Sequence, residues 1–226
     1  MEIESPKIKE LAIRKIPIFT SLTEEERTSL GQKLSLREYK KGTSIIVSDH
    51  SDREMMFVAD GAVDIKRTSF DGKEVIISRL GIGDFFGEIA LLTQSSRSAD
   101  VTAVEDCMIL VLNPESFEYL LANQPNFSKA LLVELANRVV VASTKISDLA
   151  LLDVYYRVLR TLSRLAKKDE KTGKLVVQSR PTHKDLAAMV GSSREMVTRA
   201  LSRLEEEETI QVDGEKIYLL SAPVNL

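Results

Sequence analysis

Phe85-Phe86-Gly87-Glu88-Ile89-Ala90-Leu91-Leu92, followed five residues later by Arg97-Ser98-Ala99-Asp100-Val101, is the stretch from which the rest of the chain is read. A glycine opening a short helix leaves backbone N–H groups pointing outward and lets a phosphate come close. An arginine ten residues on can balance the phosphate charge, and Glu88 can accept hydrogen bonds from sugar hydroxyls. A Gly-Glu pair alone is common in proteins, whereas the whole cassette is specific.

Upstream and downstream of it, short β-prone runs alternate with turn residues: Ser44-Ile45-Ile46-Val47, Met55-Met56-Phe57-Val58, Ala62-Val63-Asp64-Ile65, Glu74-Val75-Ile76-Ile77-Ser78 and Cys107 to Leu112. This regular spacing predicts an all-β roll, with Asp71-Gly72 as a hairpin turn. Thr23 with Glu26 three residues later predicts a small capped helix ahead of the roll.

Helices follow. Asn113-Pro114-Glu115 can start one, since Asn caps and Pro fits the first turn. A second runs from Pro125 to about Leu152, with Phe127, Leu131, Leu135, Ala142, Ile146 and Leu149 forming an apolar stripe. A helix of about 26 residues is roughly 40 Å long, too long for a small roll to cover, so a second copy of itself is the expected partner. Asp153 begins another amphipathic helix through Lys167, with Arg157, Arg160 and Arg164 opposite its apolar side. Lys168 to Lys174 then reads as a charged turn around Gly173.

In the last quarter, Thr182 and Asp185 suit the cap and first turn of a short helix that ends at Gly191. Ser193 can cap a second helix, Arg194 to Glu207, packed through Val197, Leu201 and Leu204. Two helices joined by a short glycine turn form the helix-turn-helix pattern. Arg194, Glu195, Thr198 and Arg199 share the outward side of the second helix. Arg can donate twice to guanine and Glu can accept from cytosine, so these residue types suit reading of base edges. Thr209 to Val212, an Asp213-Gly214 turn, and Lys216 to Leu220 add a β-hairpin as a wing.

The chain has 226 residues, enough for one medium and one small domain. Its 43% hydrophobic and 29% charged residues are too apolar for disorder. Apolar runs are far below membrane-spanning length, and the acidic start Met1-Glu2-Ile3-Glu4 lacks signal-peptide features, so a cytoplasmic location and no membrane partner are expected. One cysteine, Cys107, excludes an intramolecular disulfide and a thiolate-held cluster within the chain. His50 and His183 have no ligand-like spacing, so no metal is expected. The net charge of −3 is uneven: residues 1–152 carry 18 basic and 23 acidic side chains, residues 153–226 carry 13 and 11. Nucleic-acid binding by the C-terminal part is thus electrostatically allowed.

The chain resembles the cyclic AMP receptor protein (CRP/FNR) family of transcriptional regulators. The resemblance rests on the Phe86-Gly87-Glu88 to Val101 cassette, on Leu149-Ala150-Leu151-Leu152-Asp153-Val154, and on Val190 to Arg199. It implies an α+β architecture: a cyclic-nucleotide-binding, jelly-roll-like β-roll over 1–124, a dimerisation helix over 125–152 and a winged helix-turn-helix over 153–226. It implies a phosphate held by Arg97, Ser98 and the amides around Gly87, Ile89 and Ala90, a ribose held by Glu88, and a base read from the long helices by Arg138 and Ser143. Cyclic AMP is the expected effector. Ala142 departs from the family, standing where its best-known members carry a base-bonding threonine, and keeps cyclic GMP, another effector or ligand-free activity as alternatives.

At the DNA end, Arg194, Glu195 and Arg199 match the family's base-reading residues, with Thr182, Ser193 and Thr198 as further contact candidates on a two-fold TGTGA-like site. A homodimer on double-stranded DNA, working with RNA polymerase, is the implied assembly. The loop Lys168 to Gly173, which corresponds to a polymerase-contacting loop, is differently built here. A haem-based gas or redox sensor shares this architecture but has no ligand signal in this sequence. An enzyme would need a metal or a placed general base beyond Glu88, so no catalytic residue is assigned.

Overall fold

The structure, a computed structural model, describes residues 6–70, 72, 74–169 and 173–220. The acidic start Met1 to Glu4, Asp71 of the expected hairpin turn and the centre of the Lys168 to Lys174 turn lie outside the described residues. The chain forms two compact units, Met1–Arg138 and Val139–Leu226. This division falls inside a helix, fourteen residues beyond the start of the segment in which the sequence pattern placed a separate dimerisation element.

The first unit opens with α1 (Pro6–Arg14), a 3₁₀ turn (Pro17–Ser21) and α2 (Glu24–Lys33). Thr23 caps α2 as expected, accepting from the Glu26 N–H at 3.3 Å while its own N–H donates to Glu26 Oε2 at 2.7 Å. Strands follow: β1 (Leu34–Tyr39), β2 (Ser44–Ile46), β3 (Met55–Asp60), β4 (Val63–Thr68), β5 (Glu74–Leu80) and β6 (Phe85–Phe86), then α3 (Glu88–Thr93), β7 (Asp100–Ala103) and β8 (Cys107–Leu112). They pair antiparallel into two four-stranded sheets among the described residues, ordered β1-β8-β3-β6 and β2-β7-β4-β5.

The central strands β3 and β8 read as unbroken apolar runs because both of their faces are covered. Side chains alternate across a strand: Met55, Phe57, Leu110 and Leu112 pack toward the helices, while Met56, Val58, Ile109 and Val111 meet the second sheet. Cys107 belongs to that inner layer, and burial first, then neighbouring Asp106, pushes its thiol up to about 11. It is an inert core thiol at neutral pH.

Helix α4 (Pro114–Asn123) starts where Asn113 accepts from the Ser116 N–H at 2.9 Å. Helix α5 (Pro125–Leu151) begins in the first unit and ends in the second. Its opening turns are anchored in the roll: Phe127 is fully buried beside Phe117 and Phe19, with ring centroids 6.4 and 6.5 Å away. The apolar stripe expected on this helix therefore divides: Phe127 and Leu131 are used by the roll, while Ile146 and Leu149 stay exposed. Leu132 and Val139, which lie outside that stripe, fall into sevenfold spacing with Ile146, the three being 68, 65 and 68% exposed.

In the second unit, α6 (Val154–Leu165) is capped by Asp153, which accepts from the Tyr156 N–H at 3.0 Å. It ends before the expected Lys167, because Lys167–Lys168 form β9 and pair with β10 (Leu175–Val177). Then come α7 (His183–Val190), α8 (Arg194–Glu206), β11 (Ile210–Asp213) and β12 (Lys216–Leu219). Val158, Leu162, Leu186, Val197, Leu204 and Ile217 form the core. The wing turn sits one residue later than the sequence suggested: Asp213 pairs with Lys216, so Gly214 and Glu215 are the turn residues. Gly214 has φ +58° at the first central position, the place where a II′ hairpin turn requires glycine.

Candidate functional site

In the first unit the cassette folds around Gly87. With φ +85° it caps α3 in a conformation that side chains rarely adopt. A Cβ at Gly87 would collide with the Glu54 carbonyl oxygen and stand 2.6 Å from Arg97 Nη1. The glycine is required both by the backbone bend and by this close approach.

Arg97 is 2% exposed, far from ordinary for an arginine. Its Nη1 donates to the carbonyl oxygens of Glu54 at 3.0 Å and Gly87 at 3.1 Å, and its Nη2 to Asp52 Oδ2 at 3.4 Å. Its backbone is held too: Arg97 N–H donates to His50 O, and its carbonyl accepts from Asp49 N–H, both at 3.0 Å. Glu54 is fixed in turn by two 2.8 Å bonds from the Arg37 guanidinium. Buried Arg97 Nε has no hydrogen-bond partner among the described residues.

Glu88 is also 2% exposed. Its Oε1 accepts from Arg138 Nη1 at 3.1 Å, while buried Oε2 has no partner among the described residues. Burial pushes its carboxyl above the usual glutamate range, against the pull of Arg138 and Arg97. Arg138 reaches this point from α5: its Nη2 donates to Phe85 O at 2.6 Å, and its guanidinium lies 4.2 Å from the Phe85 ring centroid.

Gly87, Glu88, Ala90, Arg97 and Arg138 are thus gathered in one unit, with Ile89 and Ser98 exposed at its rim. Ser143 is exposed on α5 in the second unit. The sequence reading missed Asp52 and Glu54, which contact Arg97, and Arg37 of β1, which fixes Glu54. The only signal of Asp52 and Glu54 was a charged loop, and carboxylates in loops are ordinarily solvated. Two clefts of about 610 and 410 Å³ open on the first unit, one between α1, α2 and β1, the other beside Pro17, Phe85 and Glu134. Neither is lined by Arg97 or Glu88, whose side chains are closed in by their own partners.

In the second unit, the caps read from sequence are formed. Thr182 accepts from the Asp185 N–H at 3.1 Å and Ser193 from the Met196 N–H at 3.3 Å. Val197, Ala200, Leu201 and Leu204 face the core, leaving Arg194, Glu195, Thr198 and Arg199 exposed together on the first turns of α8. Its own backbone N–H first, then a hydrogen bond from the Ser193 hydroxyl, hold the Glu195 carboxyl below the usual glutamate range, so it is an acceptor at neutral pH. Charged donors and an acceptor on one exposed helical face can address the edges of base pairs. The sequence reading missed two residues here. His183 contacts Thr198 at 2.8 Å, and Asp148 is buried between Arg160 and Arg164, at 2.5 and 3.2 Å.

A β-roll with a buried Gly-Glu-Arg cassette, and a winged helix-turn-helix behind a long helix, define a cyclic-nucleotide-binding transcription regulator. The cyclic nucleotide-binding domain family matches residues 36–124, and the Crp-like helix-turn-helix domain family residues 156–223. The cAMP-activated global transcriptional regulator CRP of Haemophilus influenzae is 32% identical over 189 residues, covering 83% of this chain and 84% of that protein. The cAMP-activated global transcriptional regulator Vfr of Pseudomonas aeruginosa is 34% identical over 188 residues, covering 81% and 88%. The c-di-GMP responsive global regulator CLP of Xanthomonas campestris superposes with a TM-score of 0.74 at 26% identity, over 84% of this chain and 96% of that one. The chain belongs to the CRP/FNR family of transcriptional regulators, a family of DNA-binding proteins and not of enzymes.

Proposed function

We propose that the chain is a cyclic-AMP-gated regulator that acts in the cytoplasm as a homodimer and reads a two-fold, TGTGA-like site. The observation that carries the nucleotide reading is that two of the three orphaned buried side-chain atoms among the described residues lie in the cassette, the third being Arg157 Nε in the second unit. Arg97 Nε needs an acceptor and Glu88 Oε2 needs a donor. A cyclic phosphate oxygen and a ribose hydroxyl supply that pair, and leaving such groups unsatisfied costs about 1–3 kcal/mol each. Gly87 clears the approach, Ile89, Ala90 and Ser98 border it, and Arg138 links Glu88 to α5.

The exposed sevenfold spacing of Leu132, Val139 and Ile146 supports self-pairing of α5. Arg194, Glu195, Thr198 and Arg199, with the caps Thr182 and Ser193, form the reading surface, and two such surfaces fit half-sites roughly 34 Å apart. The working boundaries are 1–124 for the nucleotide domain, 125–152 for the pairing helix and 153–226 for the DNA domain. RNA polymerase is the partner expected on promoter DNA. The ligand acts through its differential affinity for two arrangements of the hinge at Leu152-Asp153. There, Arg157 Nη1 donates to Leu152 O at 3.0 Å.

Ala142 supports a second reading with another nucleotide, since an alanine offers the base no side-chain hydrogen bond. CLP, described as c-di-GMP responsive, belongs to the same fold. Calorimetric titration with cyclic AMP, cyclic GMP and cyclic di-GMP separates these, followed by binding to a palindromic TGTGA duplex with and without the tightest ligand. Saturable cyclic AMP binding that strengthens DNA affinity is expected. No nucleotide binding with DNA affinity intact overturns the gating.

A further inference from the structure

His183 opens α7, and its two ring nitrogens are both engaged. Nε2 lies 3.1 Å from Arg180 Nη2 and Nδ1 lies 2.8 Å from Thr198 Oγ1. A guanidinium can only donate, so Nε2 must be the acceptor and the ring proton sits on Nδ1. Burial, followed by the positive charges of Arg180 and Arg194, pushes the imidazole below its usual range, which agrees with a neutral ring. Nδ1–H therefore donates to the Thr198 hydroxyl. That hydroxyl in turn donates to the Arg194 carbonyl at 2.9 Å. The Arg180 backbone N–H donates to Glu215 O in the wing turn at 2.7 Å, so the relay begins on the wing and ends on α8.

Thr198 is exposed beside Arg194, Glu195 and Arg199, yet its one O–H proton is committed to its own helix and one lone pair to His183. It cannot donate to guanine N7 or O6, to adenine N7 or to thymine O4, the acceptors of the major groove. What remains for an outside partner is a methyl group and one lone pair. We propose that His183 is a positioning residue that fixes Thr198 as a methyl-presenting reader, giving each half-site a preference for thymine through its 5-methyl group. The proposal rests on α8 being the DNA-contacting helix and goes beyond it by naming the base and the group that is read.

The full-length protein selects duplexes from a randomised pool, with and without cyclic AMP, and each thymine of the enriched half-site is then replaced in turn by deoxyuridine, which lacks only that methyl. One thymine position is expected to weaken binding about fourfold per half-site on replacement, the equivalent of one buried methylene. Thr198→Val keeps this sensitivity, Thr198→Ser loses it, and His183→Ala reduces it with an unchanged melting temperature. A loss confined to overall affinity, with the thymine-to-deoxyuridine ratio unchanged in His183→Ala, would mean a structural role only and overturns the positioning assignment. Tight binding with no deoxyuridine-sensitive position, or sensitivity that survives in Thr198→Ser, overturns methyl reading. If no duplex is enriched at all, the assignment of α8 fails first and the proposal falls with it.

Discussion

The carboxylate of Asp52 stands 3.4 Å from Arg97 Nη2, on the arginine proposed to receive a phosphate, while Asp52 itself is half exposed. A solvent-facing carboxylate here is an internal competitor for the incoming anion. Asp52→Asn is expected to tighten cyclic AMP binding about three- to tenfold, because it removes a repulsion that solvent only partly screens. Calorimetry at two salt concentrations checks this, with the gain shrinking at the higher one. Arg97→Ala abolishes the response to cyclic AMP and leaves basal DNA contact. An Arg97→Ala protein that still gains DNA affinity with ligand refutes the site.

Replacing Gly87 tests the geometry behind that site. Gly87→Ala places a side chain at φ +85° and against Glu54 O. Left-handed strain plus a backbone collision should cost about 2–4 kcal/mol, seen as a lower urea midpoint at constant m-value. A loss under about 0.5 kcal/mol would show that the bend relaxes freely.

Glu88 gives a pH signature. Its folded carboxyl titrates above the ordinary glutamate value of 4.5, chiefly through burial, so the folded state holds the proton more tightly than the unfolded one. The stability this contributes is complete below the unfolded value and is lost as pH rises through the raised folded value. Glu88→Gln removes the titration. The melting temperature of Glu88→Gln minus that of the parent should therefore rise as the pH increases above about 4.5. A difference that stays flat across this range contradicts the burial-driven shift.

Self-pairing of α5 is tested on its exposed seam. Ile146→Glu places charge at an apolar position of a heptad, and Val139→Glu does so one heptad earlier. Each should shift sedimentation from dimer toward monomer and reduce affinity for a two-half-site duplex by at least about tenfold, since bivalent contact is lost. Leu92→Glu, on α3 and also exposed, should leave both unchanged.

Much of this protein was legible in residue patterns whose cause is local. The Thr23–Glu26 capping box, Asn113 ahead of Pro114, and the caps Thr182 and Ser193 all formed as read, because a cap needs partners only two or three residues away. The Gly87 to Arg97 cassette was visible for a similar reason, its spacing being set by one short helix and one turn. Errors arose where local signals were equal. Asp213-Gly214 and Gly214-Glu215 are both acceptable turns, and pairing of Asp213 with Lys216 chose the second. Lys167 continued a helical pattern but was drawn into a strand by Leu175 and Val176 across the sheet.

The sequence by itself determined the order of elements and the residue types at each site, since these follow from periodicity, caps and glycine placement along the chain. Tertiary structure alone decided which partners those residues face. It buried Phe127 and Leu131 in the roll and left Leu132, Val139 and Ile146 exposed, brought Asp52 and Glu54 to Arg97, joined Arg138 to Glu88, and set His183 against Thr198. The physical reason is range. Backbone preferences act over a few residues, whereas burial and hydrogen-bond satisfaction are settled between segments separated by 50 positions or more, as Glu88 and Arg138 are.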